Sequence, residues 1–138
     1  MSEFLTLFTR ASKLVRGAAD AAYGRHGVRL GQNLVLAALA DEDGLTPGEL
    51  AQRLQVTTPT IVKMATRMEA AGFLTRRRDP KDNRLVRLYL TDHGRAVHGP
   101  IEDERLRLQE RAIAGLSDEQ RRQLESTLAR IIRNLEED

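Results

Sequence analysis

Residues 46–90 set two helix starts, a tight turn and a basic hairpin end to end with no residue to spare, and this succession restricts the fold more than any other feature of the chain. Thr46-Pro47-Gly48-Glu49 reads as a capping box: the Thr46 hydroxyl takes a free amide of the first turn, Pro47 needs no donor at the first helical position, and Glu49 reaches back. A helix is therefore expected from Pro47, with Leu50, Ala51 and Leu54 on one face. A second cap is expected at Thr58, ahead of Pro59. The apolar stripe then resumes through Ile61, Val62, Ala65, Met68 and Ala71 to Gly72, a residue suited to the left-handed conformation that ends a helix. Two short helices joined by a tight turn make a helix-turn-helix.

In that motif the second helix offers its N-terminal, solvent-facing side chains to the major groove of DNA. Here these are Thr57, Thr58, Thr60, Lys63 and Arg67. Hydroxyls and helix-start amides suit phosphate oxygens or base edges, and the cations neutralise phosphates. Two ordinary surface helices of a bundle are the plainer alternative, because capping signals are generic.

The following segment weighs against that alternative. Residues 73–78 and 85–90 alternate as strands, and Asp79-Pro80-Lys81-Asp82-Asn83 between them is dense in turn formers. From Arg76 to Arg87 six cations (Arg76, Arg77, Arg78, Lys81, Arg84, Arg87) face two acids (Asp79, Asp82), a net +4 in a chain whose total is +2, so the remainder sums to −2. Positive charge gathered on one element of an otherwise mildly acidic chain is the footprint of a polyanionic partner. A solvated charged hairpin would leave this self-repulsion unscreened.

The stretch from Leu45 to Val97 resembles the winged helix-turn-helix of the MarR family of bacterial transcription regulators, most specifically at the hairpin tip Asp82-Asn83-Arg84 and in the later run Leu90-Thr91-Asp92-His93-Gly94. The resemblance implies that an arginine at the place of Arg84 enters the minor groove and that Asp82 orients it; an arginine suits a narrow, strongly negative groove. One departure is Gln55, where family members often carry glycine, so the turn between the two helices is expected to differ slightly.

The flanking segments read as helices. Phe4, Leu7, Phe8, Ala11, Leu14, Val15, Ala18, Ala19 and Ala22 fall at helical spacing from Glu3 to Tyr23, and Gln32–Ala40 is apolar on most sides, as in a helix packed centrally. After the hairpin, Thr91 caps a helix expected to run to about Ala114 with a kink or break near Val97–Pro100, because proline removes a backbone bond and crowds the preceding turn. Ser117, with Gln120 three residues on, caps the last helix, which carries Leu124, Leu128, Ile131, Ile132 and Leu135. The expected fold is mainly α with a small β-hairpin wing, in a single domain. Residues 1–44 supply N-terminal helices, 45–90 the reading module and 91–138 the C-terminal helices. Wide aliphatic stripes at both ends of the chain point to burial against a second copy, and the resemblance likewise implies homodimerisation through the terminal helices.

The chain has no cysteine, which removes disulfides, thiolate zinc sites and the thiol-based oxidant sensing used by some members of the family. Charges at Glu3, Arg10 and Lys13 interrupt any signal segment, and no apolar run approaches the roughly 20 residues of a membrane span, so a cytoplasmic protein is expected. Catalysis is not expected. His26, His93 and His98 and the acids Asp79, Asp82, Glu102, Asp103 and Glu104 form no recognisable constellation; His98 and Glu102 share a helix face but lack a third metal ligand at useful spacing. No cofactor is expected. A winged helix that binds a protein partner remains an alternative to DNA, opposed by the one-signed charge of Lys63, Arg67 and Arg76–Arg78. The resemblance also implies an effector, in many members an anionic aromatic compound, held between the dimer helices and the reading module. Leu14, Ala18, Tyr23, Arg25, His26, Leu34, Leu36 and Leu39 are candidates for that cleft by position.

The whole reading is thus a homodimeric repressor that binds double-stranded DNA at a pseudo-palindrome, with release by a small molecule and effector-independent binding both left open.

Overall fold

The computed structural model describes residues 3–136. In chain order the elements are α1 (Phe4–Gly24), α2 (Gln32–Asp41), α3 (Pro47–Leu54), α4 (Thr58–Ala70), β1 (Leu74–Arg78), β2 (Val86–Leu90), α5 (Asp92–Ala112) and α6 (Asp118–Glu136). The strands pair antiparallel from Leu74 opposite Leu90 to Arg78 opposite Val86, and Leu45 adds a bridge to Leu88 that ties the hairpin to the start of α3.

Local chemistry sets most boundaries. Thr46 and Glu49 close the capping box, with Thr46 N donating to Glu49 Oε1 at 2.9 Å and Glu49 N to Thr46 Oγ1 at 3.1 Å. Ser117 and Gln120 do the same before α6, at 2.9 and 3.1 Å. At the end of α4, Gly72 at φ 84° lets Phe73 N reach Met68 O at 2.9 Å and Gly72 N reach Glu69 O at 3.0 Å, the paired bonds of a Schellman turn. Gly94 answers a different demand: a Cβ there would lie 2.1 Å from the Phe73 carbonyl oxygen, so the first turn of α5 lies directly on the start of the hairpin.

The core gathers one face of each central element: Leu36 and Leu39 from α2, Leu50 from α3, Ile61 and Met68 from α4, Phe73 and Leu74 at the hairpin, Leu88 from β2 and Ile101 from α5, all essentially without solvent contact. Helix α1 joins it only through its C-terminal half, at Ala19, Ala22 and Tyr23, and α6 buries none of its residues.

Three local expectations are corrected. The N-cap of α4 is Thr57, one residue earlier than Thr58, and its hydroxyl lies 2.9 Å from Thr60 Oγ1 and not on a backbone amide. Val62 stands outside the apolar stripe at 40% exposure, as does Ala71, while half-buried Met64 packs against the core. Helix α5 runs unbroken through Pro100. Val97 and Ile101 are buried on the inner side of that turn, whereas Ala96, whose carbonyl proline leaves without a donor, and Pro100 itself face solvent, so that carbonyl stays open to hydration.

Candidate nucleic-acid interface

Helices α3 and α4 are joined at Gln55, which sits at φ 57°, ψ 46°, the left-handed conformation and the sole non-glycine with positive φ among the described residues. Gln55 N reaches Gln52 O at 3.3 Å and Val56 N reaches Ala51 O at 3.0 Å. The turn therefore keeps the geometry that glycine would give, and the side chain bears a local cost of about 1 kcal/mol. The departure expected at this position lies in residue type and not in shape.

With Ile61, Ala65 and Met68 turned inward, α4 presents Thr57, Thr58, Thr60, Lys63 and Arg67 to solvent on one side. No side chain caps this helix, so its first-turn amides are left for an outside acceptor. Lys63 and Arg67 make no ion pair among the described residues. Together with Arg29 they line a cavity of about 230 Å³ between the break that precedes α2 and the outer face of α4; Thr60 and Met64 complete the α4 side, and no carboxylate lines it.

The hairpin divides its arginines between two tasks. At the tip, Asp79 Oδ1 accepts from Lys81 N at 2.7 Å and Asp82 N at 3.1 Å, shaping the turn. Asp82 then holds Arg84 by both carboxylate oxygens, to Nε at 3.1 Å and Nη2 at 3.2 Å, while Arg84 remains 90% exposed. That grip keeps the Asp82 carboxyl below its usual range. Arg87 does the opposite and folds inward, donating from Nε to Asp79 Oδ2 at 2.6 Å and from Nη1 to the Gly44 carbonyl at 2.9 Å, with Glu49 at 3.4 Å. The Arg87 hydrogen bond is the chief reason that the Asp79 carboxyl is held below the ordinary carboxylate range, and the same bond raises Arg87.

Both acids of the hairpin are therefore occupied by Arg84 and Arg87, leaving Arg77, Arg78 and Lys81 exposed with no carboxylate among the described residues. Arg77 lies over the Tyr89 ring at 5.1 Å and Arg78 donates to the Asn83 carbonyl at 2.8 Å. Arg76 is tethered beside α4 through Thr66 Oγ1 at 2.5 Å and Glu69 at 3.4 Å, joining the wing to the outer face of that helix. Sequence reasoning missed both the inward turn of Arg87 and the approach of Arg29 to α4. Arg87 reaches across the hairpin to Asp79 and to the distant Gly44 carbonyl, and Arg29 meets α4 more than thirty residues on, so neither contact has a signal within a few residues.

The positions taken as an effector cleft do not converge. Leu36 and Leu39 lie in the core, and Leu14 and Leu34 are exposed. Ala18 and Arg25 line a cavity of about 310 Å³ of mixed lining with Leu108, Glu104, Arg107 and Arg111. Tyr23 lines a separate, mainly apolar one of about 380 Å³ with Val15, Leu108 and Ile113, where burial pushes its phenol up. His26 approaches buried Glu104 at 3.4 Å, and the same carboxylate takes Arg25 at 2.7 Å and is also bound by Arg107. Glu102 is held by Arg105 at 2.8 Å, and no group of three metal-ligating side chains occurs among the described residues. His93 stacks on Phe73 with ring centroids 4.9 Å apart. No described helix is long and apolar enough to cross a membrane.

The same module stands out in comparison with known proteins. The MarR family profile matches residues 26–85. The regulator TtmR of Methylorubrum extorquens is 37% identical over 93 residues, which is 62% of this chain and 48% of TtmR, so the chain spans about half the length of that relative. The helix-turn-helix regulator YkoM of Bacillus subtilis is 30% identical over 118 residues, covering 86% of this chain and 77% of YkoM. Among solved structures, that of the S. aureus MepR–DNA complex superposes with a TM-score of 0.88 at 23% identity, over 97% of this chain and 99% of MepR, a likeness of fold. A relative aligned over most of both chains and a profile centred on the two-helix motif and its wing agree with the observed architecture, and the chain belongs to the MarR family.

Proposed function

We propose that the protein is a sequence-specific, homodimeric DNA-binding transcriptional repressor. Each protomer lays α4 in a major groove and extends Arg84 into the flanking minor groove, so that the dimer reads a pseudo-palindrome with half-sites about 10 base pairs apart. One observation carries the reading: an outer face of α4 that offers uncapped amides, hydroxyls, Lys63 and Arg67, beside a wing whose tip arginine is held outward by Asp82. MepR, which shares the fold, was captured with DNA. Residues 45–90 form the reading module in this proposal.

Dimerisation is assigned to residues 1–44 and 91–138. Phe8, Leu14 and Val15 on α1 and Leu124, Ile132 and Leu135 on α6 are exposed in the single chain, and uncovered apolar stripes of this length favour association. An anionic aromatic effector would sit at the apolar cavity beside Tyr23, where Arg16 supplies positive charge and Arg105 is shared with Glu102. A small-molecule panel that neither raises the melting temperature nor releases DNA removes the effector from the proposal.

Selection of bound sequences from a random duplex pool, with the Arg84→Ala protein in parallel, tests the central reading. A palindromic motif that weakens in the variant supports it. Binding should also fall by orders of magnitude between about 50 and 200 mM salt for roughly six or more phosphate contacts. No enrichment, or a flat salt response, would favour a protein partner instead.

A further inference from the structure

The cavity between the turn before α2 and the outer face of α4 brings Arg29 to Lys63 and Arg67, a helix pair to which no local sequence signal connects it. Arg29, Lys63 and Arg67 line it, no acid does, and none of the three makes an ion pair among the described residues. The turn is pressed against α4: a Cβ on Gly31, at φ 100°, would stand 3.2 Å from Met64 Cε. Gln32 Oε1 accepts from Arg29 N at 2.9 Å and Asn33 Oδ1 from Gly31 N at 2.9 Å, so the backbone that carries Arg29 is fixed by its own side-chain bonds. Three like charges gathered on such a fixed frame repel one another unless an anion lies between them.

We propose that this cavity seats a backbone phosphate of the bound duplex, and that Arg29 is a DNA contact outside both the two-helix motif and the wing. The inference rests on the DNA-binding reading above. Thr60, Lys63 and Arg67 fall on one face of α4, so a phosphate held among Arg29, Lys63 and Arg67 flanks the groove that α4 enters. Arg29 adds affinity without reading sequence, because a phosphodiester is the same at every step. The neutral linkage that remains when a phosphate oxygen is replaced by methyl cannot use this seat.

Arg29→Ala and Arg29→Lys are compared with the wild-type protein on the selected duplex and on a scrambled one across a salt series. Arg29 is exposed, and equal melting temperatures check that each variant folds. The expected result for Arg29→Ala is a loss of about five-fold in affinity per bound protomer near 150 mM salt, similar on both duplexes, with the salt slope reduced by about one per protomer. Arg29→Lys should keep the slope. A scan of methylphosphonate linkages should find one position per half-site at which neutralisation costs the wild type clearly more affinity than it costs Arg29→Ala, whose Lys63 and Arg67 still face that phosphate.

Unchanged affinity and slope in Arg29→Ala overturns the inference while leaving the DNA reading intact. So does a loss confined to the selected duplex, which would make Arg29 a base reader. Inorganic phosphate that stabilises the wild type but not Arg29→Ala at matched ionic strength, with duplex affinity equal in the two, would assign the cavity to a free anion and also overturn it. A wild-type protein that retains no duplex removes the DNA reading, and this inference with it.

Discussion

The reading module and the two outermost helices, α1 and α6, carry the same kind of amphipathic pattern, yet the module's stripe is covered and most of theirs is not. Leu50, Ile61 and Met68 of α3 and α4 are fully buried, whereas α6 buries no residue and leaves Leu135 69% exposed. The N-terminal half of α1 resembles α6, with Leu5, Leu7 and Phe8 open to solvent. A period of 3.6 states that a helix has an apolar face and is silent on what covers it. Within one chain the module is closed, and the apolar faces of α6 and of the first half of α1 stay open.

The sharpest break of this contrast is a pair of truncations. Leu50→Ala should destabilise the protein by about 2–5 kcal/mol in denaturant titrations, because it opens a cavity in a closed core. Leu135→Ala should change the stability of a dilute protomer by no more than about 0.5 kcal/mol. Equal effects would mean that α6 is packed within the protomer.

The complementary test leaves the module untouched and charges the open face. Ile132→Asp with Leu135→Asp should shift sedimentation to the single-chain mass and abolish binding to a full palindrome at concentrations where the wild type is saturated. A double variant that stays dimeric would place the subunit contact elsewhere.

Within the wing, Arg84 and Arg87 repeat the contrast between an outward and an inward group. Arg84→Ala should lose on the order of ten-fold or more in DNA affinity with an unchanged melting temperature. Arg87→Ala should lower the melting temperature, since it strips partners from the Gly44 carbonyl and from Asp79, whose side chain is only 12% exposed. Reversed outcomes would exchange the two assignments.

A smaller effect is expected at the turn of the motif. Gln55→Gly relieves the left-handed strain and should stabilise the protein by about 0.5–1 kcal/mol, read by urea midpoint, with DNA affinity retained. The smallest concerns pH. Asp79 is depressed in the folded chain, so its contribution is fully present above the unfolded carboxylate value and drains away as pH falls through the lower, folded one. The stability lost by the wild type between pH 5 and the acid limit, about 2, should be reduced in Asp79→Asn; identical acid profiles would show that the Arg87 latch does not set it.

Much of this was legible in the residue order because it depends on near neighbours. A capping box needs only Thr46 and Glu49, a hairpin needs a run of turn formers between alternating strands, and an apolar face needs only spacing. The Thr57 cap was misplaced by one residue because two threonines adjoin and their hydroxyls are chemically alike. Of the kink or break expected near Val97–Pro100, the break does not occur: propensity counts the lost bond but cannot see that Val97 and Ile101 are buried on either side of that turn.

The sequence by itself determined the order of elements, the helix ends and the concentration of charge on one hairpin, all set by hydrogen bonds and periodicities within a few residues. Tertiary structure decided which charges are spent and which remain. Arg87 is drawn inward because folding brings Asp79 and Gly44 within reach, Arg84 stays out on Asp82, and Arg29 meets Lys63 and Arg67 only when the turn before α2 closes against α4. Charge is counted along the chain, but its availability depends on distances that only packing creates.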